Sequence, residues 1–366
     1  MHALKRFGTA FGGYKMMENY PVPECGPDDI ILEIEAAAIC GADMKHWGVD
    51  NGYDDTNITP DQQQSVRGHE FAGEIVKVGE NVKDWHIGQR VVSDNSAHVC
   101  GVCPACEQGD FLCCEHKVNL GLDNNTWGGG FSKYCKVPGE ILAIHKHAIW
   151  EIPEGIKYEE ACVLDPICNA YKAVAQQSHL IPGQDVVVFG TGPLGLFSVQ
   201  VAKLMGAVNI VMVGLDDDVK VRFSVAKELG ATHCVNGSKE DVVARCTEIC
   251  GRDNLGLVIE CSGANIALKQ AIEMTRPNAE IVRVGMGFKP LEFSINDITA
   301  WNKSIIGHMA YDSTSWRNCI RLLQSGQIKV QPMITHRLGL SQWQEGFDKM
   351  AKKEAIKVIF HYDYED

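Results

Sequence analysis

The chain has 366 residues, 45% apolar and 22% charged, an ordinary globular balance and enough length for two domains. Its 47 acidic side chains outnumber 34 basic ones for a formal net charge of −13, and no basic run occurs, which argues against a nucleic-acid or anionic-membrane partner. No stretch reaches the roughly eighteen consecutive apolar residues of a membrane span, and MHALKRFGTAFGG has no apolar core of signal-peptide length, so the fifteen cysteines are expected to be reduced and cytoplasmic.

From Ile30 to Tyr134 short β-rich runs are separated by glycine: IILEIEAAA, FAGEIVKVG, GQRVVSD and GFSKYCKV. Their tight alternation predicts an antiparallel, partly barrel-like domain. The polar stretch from Asn51 to Ser65 reads as a surface excursion. Three segments in distinctive settings carry ligand-type residues: Cys40 in ICGADMKHW, His69 and Glu70 in RGHEFAGEI, and Asp165 in VLDPICNA. A thiolate, an imidazole and one or two carboxylates make a zinc centre with an open position. Such a zinc polarises a carbonyl or lowers the pKa of a hydroxyl. The segments lie far apart, and taken alone each residue is as readily an ordinary core cysteine or histidine.

Between these segments, Cys100, Cys103, Cys106 and Cys114 form a C-x2-C-x2-C-x7-C cluster. Four thiolates close a tetrahedral shell around Zn²⁺ with no open position, so this site holds a loop rather than reacts. Gly101, Pro104 and Gly109 supply the reversals. A disulfide pair is the alternative, disfavoured by the intracellular setting.

From about Ala161 strands and helices alternate. DVVVFG leads into PLGLFSVQVAKLMGA, NIVMVG into VKVRFSVAKELGA, LGLVIECSG into ANIALKQAIEMT, and EIVRVGMG follows. Fully apolar short strands between amphipathic helices predict a parallel sheet covered on both faces. Gly190, Gly192 and Gly195 form G-T-G-P-L-G between a strand and a helix, with Pro193 and Leu194 opening the helix. That context marks a dinucleotide site: a tight turn, a close approach to pyrophosphate, and helix–strand packing. After the next strand comes Gly214, then Asp216, Asp217 and Asp218. A carboxylate here accepts ribose hydroxyls and favours NAD, while Lys220 and Arg222 keep NADP open. After Lys303 helical and strand segments return, ending in AIKVIFHY, and this tail is expected to rejoin the first domain.

The order ICGAD, GHEFAGEIVKVG, the four-cysteine cluster, GGGFSKY, GTGPLG and ECSGA resembles the zinc-containing medium-chain alcohol dehydrogenases, in the sorbitol and polyol dehydrogenase branch, with threonine dehydrogenase as a close relative. The likeness runs through nearly the whole chain. It implies an α/β protein with a GroES-like β-rich catalytic domain at residues 1–160, including a structural zinc lobe at 98–116. A Rossmann doubly wound parallel-sheet domain would occupy 161–303, and the segment 304–366 would return to the catalytic domain. By motif, Cys40 and His69 match catalytic zinc ligands, and Glu70 the residue beside or within that shell. Asp165 stands where the family usually has Glu before Pro, leaving direct or water-mediated binding open. Cys100, Cys103, Cys106 and Cys114 match the structural zinc ligands, with Cys113 a packing spare.

Two departures matter. The family's hydroxyl residue after C-G, which relays the substrate proton, is here Ala42, so the relay falls to water or to Lys45 or His46. In HMAYDSTSW, Ala310 stands where sorbitol-type relatives often carry Arg. Trp47, Asn169 and Tyr171 flank the ligand motifs and suit a polyhydroxylated substrate, or simply pack. The expectation is therefore an NAD-dependent dehydrogenase of a secondary alcohol in a small polyol or sugar, with two zinc ions per chain. It would be a homodimer or homotetramer joined at a Rossmann sheet edge such as VRVGMGF. An L-threonine-type amino-alcohol dehydrogenase is the nearest rival. A non-catalytic dinucleotide-binding regulatory protein is the rival of another class.

Overall fold

The computed structural model describes residues 1–7, 13–44, 47, 64–123, 126–287 and 289–365. Most of the polar excursion, residues 51–63, lies outside the described residues. The chain divides into two compact units, one made of Met1–Asp165 with Ile334–Asp366, the other of Pro166–Met333.

The first unit is organised by the strand Ile30–Ala38, which buries all but two of its nine positions. It pairs antiparallel with Glu70–Val78, with Tyr134–Val137 and with Lys357–His361. The sheet runs Ile334–Gly339, Lys357–His361, Ile30–Ala38, Glu70–Val78, Arg90–Ser93, Ile149–Glu151. Gly73 admits a close approach between neighbouring strands. A Cβ there would lie 2.0 Å from the Glu33 carbonyl oxygen, and the register slips between Ile34 and Ala36 beside it. Phe131, Phe347 and Phe360 fill the core, with Phe131 edge-on to both other rings at centroid separations of 6.2 and 5.4 Å.

The second unit is a six-stranded parallel sheet ordered His233–Asn236, Ile210–Gly214, Asp185–Phe189, Leu255–Glu260, Glu280–Arg283, Ser304–Gly307. Numbered along the chain this is 3-2-1-4-5-6, the doubly wound order with its switch point beside the first strand. Every residue of Asp185–Phe189, Ile210–Gly214 and Leu255–Glu260 is buried, as apolar runs covered on both faces require. Among the described residues no helix is long and apolar enough to cross a membrane.

Two expectations change. The return to the first unit comes at Ile334, not at residue 304, because Ser304–Gly307 adds a sixth parallel strand beside Glu280–Arg283. Its side chains are mostly exposed, so main-chain pairing rather than burial holds it in the sheet. VRVGMGF is not a sheet edge either: Glu280–Arg283 is flanked on both sides, and the edge on that side is Ser304–Gly307.

Phe347 is fully buried and its ring lies 5.1 Å from Tyr14, 5.6 Å from Trp47 and 6.0 Å from Trp343. Phe347→Ala is expected to cost about 3–5 kcal/mol, read as a lowered denaturant midpoint of the first unit. A change below about 1 kcal/mol would mean that this cluster is not a core.

Candidate metal centres

The four-cysteine lobe hangs from a two-stranded ribbon, Ser96–His98 with Val118–Asn119. Cys103 caps the short helix Pro104–Glu107, Cys106 lies within it, and Cys114 follows the 3-10 turn Phe111–Cys113. Gly101 and Gly109, at φ +73° and +79°, make the reversals that fold the knuckle. The four sulfurs lie within 4.8 Å of one another, with Cys100 Sγ and Cys106 Sγ 4.0 Å apart. That is close to the edge of about 3.8 Å that a tetrahedron of 2.3 Å Zn–S bonds implies. All fifteen cysteines are free thiols, so the disulfide alternative falls. Backbone N–H groups at Val102 and Cys103 help hold the Cys100 thiol down to about 6, while burial pushes Cys106 up to about 12. A dication supplies the charge that lets all four ionise together. Cys113 is exposed rather than packed.

The second centre is assembled by strand register. Ala38 faces Glu70 across one ladder and Ile359 across the other. Two residues on, the chain therefore sets Cys40 beside His69 on one flank and Lys357 on the other. Cys40, His69 and Glu70 each offer a ligand atom within 4.8 Å of the others. Burial raises the Cys40 thiol pKa and pushes the Glu70 carboxyl well above its usual range, both opposed by the charge of Lys357. Lys357, itself buried, pairs through Nζ with Glu70 Oε2 and donates to the Ile39 carbonyl at 3.0 Å. Asp43, fully buried, organises the other side. Its Oδ2 accepts the Cys40 N–H at 3.0 Å, while its Oδ1 lies 3.4 Å from Arg67 Nη2 and 3.9 Å from His69 Nδ1.

Zinc fits this set. Glu70 Oε1 and His69 Nδ1 are buried without a hydrogen-bond partner, which is costly for polar atoms. One thiolate, one imidazole and one carboxylate form a three-donor zinc site. Asp165 stands beside this set rather than in it. Its Oδ2 accepts from Asn95 Nδ2 at 3.1 Å, yet its charge reaches both Cys40 and Glu70 and raises their pKa values. Asp43 and Lys357 were not singled out by sequence reasoning, although the aspartate of ICGAD and a lysine inside the apolar run AIKVIFHY were the available signals.

Other candidates divide. Lys45 and His46 lie outside the described residues. Ala42 occupies the turn Gly41–Met44 and brings no proton-carrying group. Trp47 donates through Nε1 to Asp348 at 3.1 Å and packs edge-on to Trp343, so it belongs to the aromatic core. Asn169 Oδ1 lies 3.3 Å from His308 Nε2, and the Tyr171 hydroxyl accepts from Asn318 at 2.9 Å. Ala310 holds a left-handed φ of +49°, unusual for alanine.

The glycine turn has the shape of a nucleotide cradle. Gly190 sits at φ +94°, and a Cβ on Gly195 would lie 1.8 Å from the Gly190 carbonyl oxygen. A Cβ on Gly192 would meet nothing within 4 Å, the open approach that a pyrophosphate needs at the start of Pro193–Leu204. Beyond the neighbouring strand, Asp218 is turned inward on the Leu215 N–H and Arg222. Asp216 stays at the surface, its carboxyl held below its usual range by Asn236 and Lys239.

Residues 26–147 match the family profile described as "Alcohol dehydrogenase GroES-like domain", and residues 193–325 the one described as "Zinc-binding dehydrogenase". The chain is 77% identical over the full length of both chains to an "Uncharacterized zinc-type alcohol dehydrogenase-like protein YdjL" of Escherichia coli. It is 29% identical to a sorbitol dehydrogenase of Halalkalibacterium halodurans and 31% identical to an L-threonine 3-dehydrogenase of Bacillus velezensis, each match covering 98% of both chains. Among solved structures, 2R,3R-butanediol dehydrogenase from Bacillus subtilis superposes with a TM-score of 0.83 at 29% identity, covering 99% of each chain.

The buried Glu70–Lys357 pair makes a falsifiable demand. Lys357→Met, which strands the carboxylate, is expected to cost about 3–5 kcal/mol, and adding Glu70→Gln to recover more than half of that loss. Thermal melts of the parent and the two variants check it, and a double variant no more stable than Lys357→Met would show that the pairing is not the cause.

Proposed function

Since the chain belongs to the zinc-containing medium-chain alcohol dehydrogenase family and is an oxidoreductase acting on CH–OH with zinc and NAD(P) as cofactors, we propose that it interconverts a secondary alcohol of a sugar alcohol, cyclic polyol or related sugar with its ketone, using NAD. The observation that carries the reading is the compact set of Cys40, His69 and Glu70, three donors where the lobe has four. Three protein ligands are the mark of a reactive zinc, four thiolates of a structural one. When bound there, zinc supplies Lewis acidity that lowers the pKa of an alcohol and polarises the corresponding carbonyl.

The chain's own residues do the rest. Asp43 fixes the Cys40 backbone and stands beside His69, while Lys357 offsets the buried charge of Glu70. Oxidation sends a hydride from the carbinol carbon to nicotinamide and releases the hydroxyl proton. With Ala42 in the relay position, that proton leaves by water, or through Lys45 or His46. The N–H groups at the start of Pro193–Leu204, behind Gly190 and Gly192, receive the pyrophosphate. Asp216, in the turn that follows Ile210–Gly214 with its carboxyl held below its usual range, and Asp217 beside it favour ribose hydroxyls over a 2′-phosphate.

Substrate class rests on chemistry shared by the relatives. Sorbitol and 2R,3R-butanediol carry hydroxyls on adjacent carbons, and L-threonine an amine beside its hydroxyl. The proposed assembly is a homodimer or homotetramer through the edge strand Ser304–Gly307, which carries exposed Ile305 between exposed Trp301 and Met309. A reducing, cytoplasmic setting suits fifteen free thiols.

Elemental analysis is expected to find two zincs per chain, and one in His69→Ala with activity lowered by about a thousandfold or more. A panel of sugar alcohols, inositols, aldonates, 2,3-butanediol and L-threonine with NAD and NADP should give its highest kcat/KM with a polyol and NAD. A highest value with L-threonine overturns the substrate class; two bound zincs with no turnover of any alcohol overturns the enzyme reading.

A further inference from the structure

Asn95 occupies an unusual place. It is buried, and it holds a left-handed φ of +60°, which asparagine tolerates better than most residues. Its backbone is held at both ends: the N–H donates to Ser93 Oγ at 2.9 Å, and the carbonyl accepts from the Leu120 N–H at 2.7 Å. Leu120 directly follows Val118–Asn119, the strand that returns from the cysteine lobe, and Ser96–His98 directly follows Asn95 and leads into it. Asn95 is thus clamped by the two legs of the lobe's ribbon.

A second link joins the same place to the lobe. Asp94 Oδ2 lies 2.5 Å from His145 Nε2, both residues buried, and Asp94 Oδ1 accepts the Ser96 N–H at 3.0 Å. The His145 ring lies against Phe111, centroids 4.2 Å apart. Phe111 sits between Cys106 and Cys114, on the turn that delivers the last thiolate. From this anchored position the Asn95 side chain donates to Asp165 Oδ2.

We propose that Asn95 is a positioning residue for Asp165, and that the closed thiolate lobe fixes it through its ribbon and through Phe111, His145 and Asp94. The inference rests on the reading of Asp165 as part of the reactive zinc site. A carboxylate beside a metal can turn between several orientations, and a donor locked in place selects one. Partners of this kind are worth about 10–100-fold in metal affinity when removed. The four-thiolate site then does more than hold a surface loop, since filling it sets the orientation of a group at the other centre.

Asn95→Gly tests this, because glycine accepts the positive φ while the side-chain amide that donates to Asp165 is lost. Asn95→Asp keeps the shape and the tolerance for that φ, but turns a carboxylate toward Asp165. The probes are Zn²⁺ affinity at the reactive site and the visible spectrum of the site loaded with Co²⁺, with Asp165→Ala as reference. The result expected is one lobe zinc retained in all variants. Reactive-site affinity should fall about 10–100-fold in Asn95→Gly and further in Asn95→Asp, with altered Co²⁺ spectra. A purely structural role would leave both asparagine variants alike, and that result overturns the proposal. So does Asn95→Gly within twofold of the parent while Asp165→Ala shifts affinity and spectrum. If Asp165→Ala is itself silent, the placing of Asp165 in the site fails, and the inference with it. Phe111→Leu should shift the Co²⁺ spectrum in the same direction as Asn95→Gly, and no shift there removes the link to the lobe.

Discussion

The pairing of Ile30–Ala38 with Glu70–Val78 on one side and Lys357–His361 on the other is the constraint on which the reactive centre depends. Side chains alternate along a strand, and a slip by one residue would turn every one of them to the opposite face. The ladder here runs to its last residue, Ala38, opposite both Glu70 and Ile359. Beyond it, Cys40, His69 and Lys357 meet although they come from positions far apart in the chain. The site is thus a consequence of where the central strand stops, and the apolar run IILEIEAAA secures that strand by burying seven of its nine positions.

The same place is electrostatically expensive. Asp43, Arg67, Glu70 and Lys357 are all buried, and burial of a charge is tolerated only with a partner. Two pairs result, Asp43 with Arg67 and Glu70 with Lys357, leaving His69 Nδ1 and Glu70 Oε1 without hydrogen bonds. A dication beside Cys40 and Glu70 would balance one thiolate and one carboxylate, and Lys357 would then leave the centre net positive. That sign suits a site meant to stabilise an alkoxide. The lobe has the opposite balance: four thiolates exceed the charge of one zinc, and backbone N–H groups around Cys100 absorb part of the excess.

Much of this was legible in the residues, for identifiable reasons. The cysteine spacing is local, so Cys100 to Cys114 could be read without any fold. The glycine turn is equally local, and each glycine has a steric reason: the Gly195 position admits no Cβ, and the Gly192 position leaves the approach open. The strand runs were readable because complete burial selects apolar residues at every position. What was not legible depends on pairing between distant strands. Nothing near Lys357 announces that its partner is Glu70, 287 residues away. Ser304–Gly307 joins the sheet by main-chain hydrogen bonds alone, so its exposed side chains gave a false boundary. Trp47 looked like a pocket residue by position, and only packing against Trp343 and Phe347 gives it a core role.

Asp165 shows how the shorter acid changes the design. An aspartate reaches less far than the glutamate that the resemblance leads one to expect, by one methylene. Here its carboxylate rests on Asn95 rather than inside the compact donor set, while still acting on Cys40 and Glu70 through its charge. Held there, it adds negative potential to the donor set from beside it. From that distance it would offset the net positive charge that Lys357 leaves at the centre less than direct ligation by a second carboxylate would, which preserves more of the pull on a developing alkoxide. With Asn95 in its proposed role, a carboxylate held back by a fixed donor would keep the centre open and electrophilic, which is what an exchangeable alcohol requires.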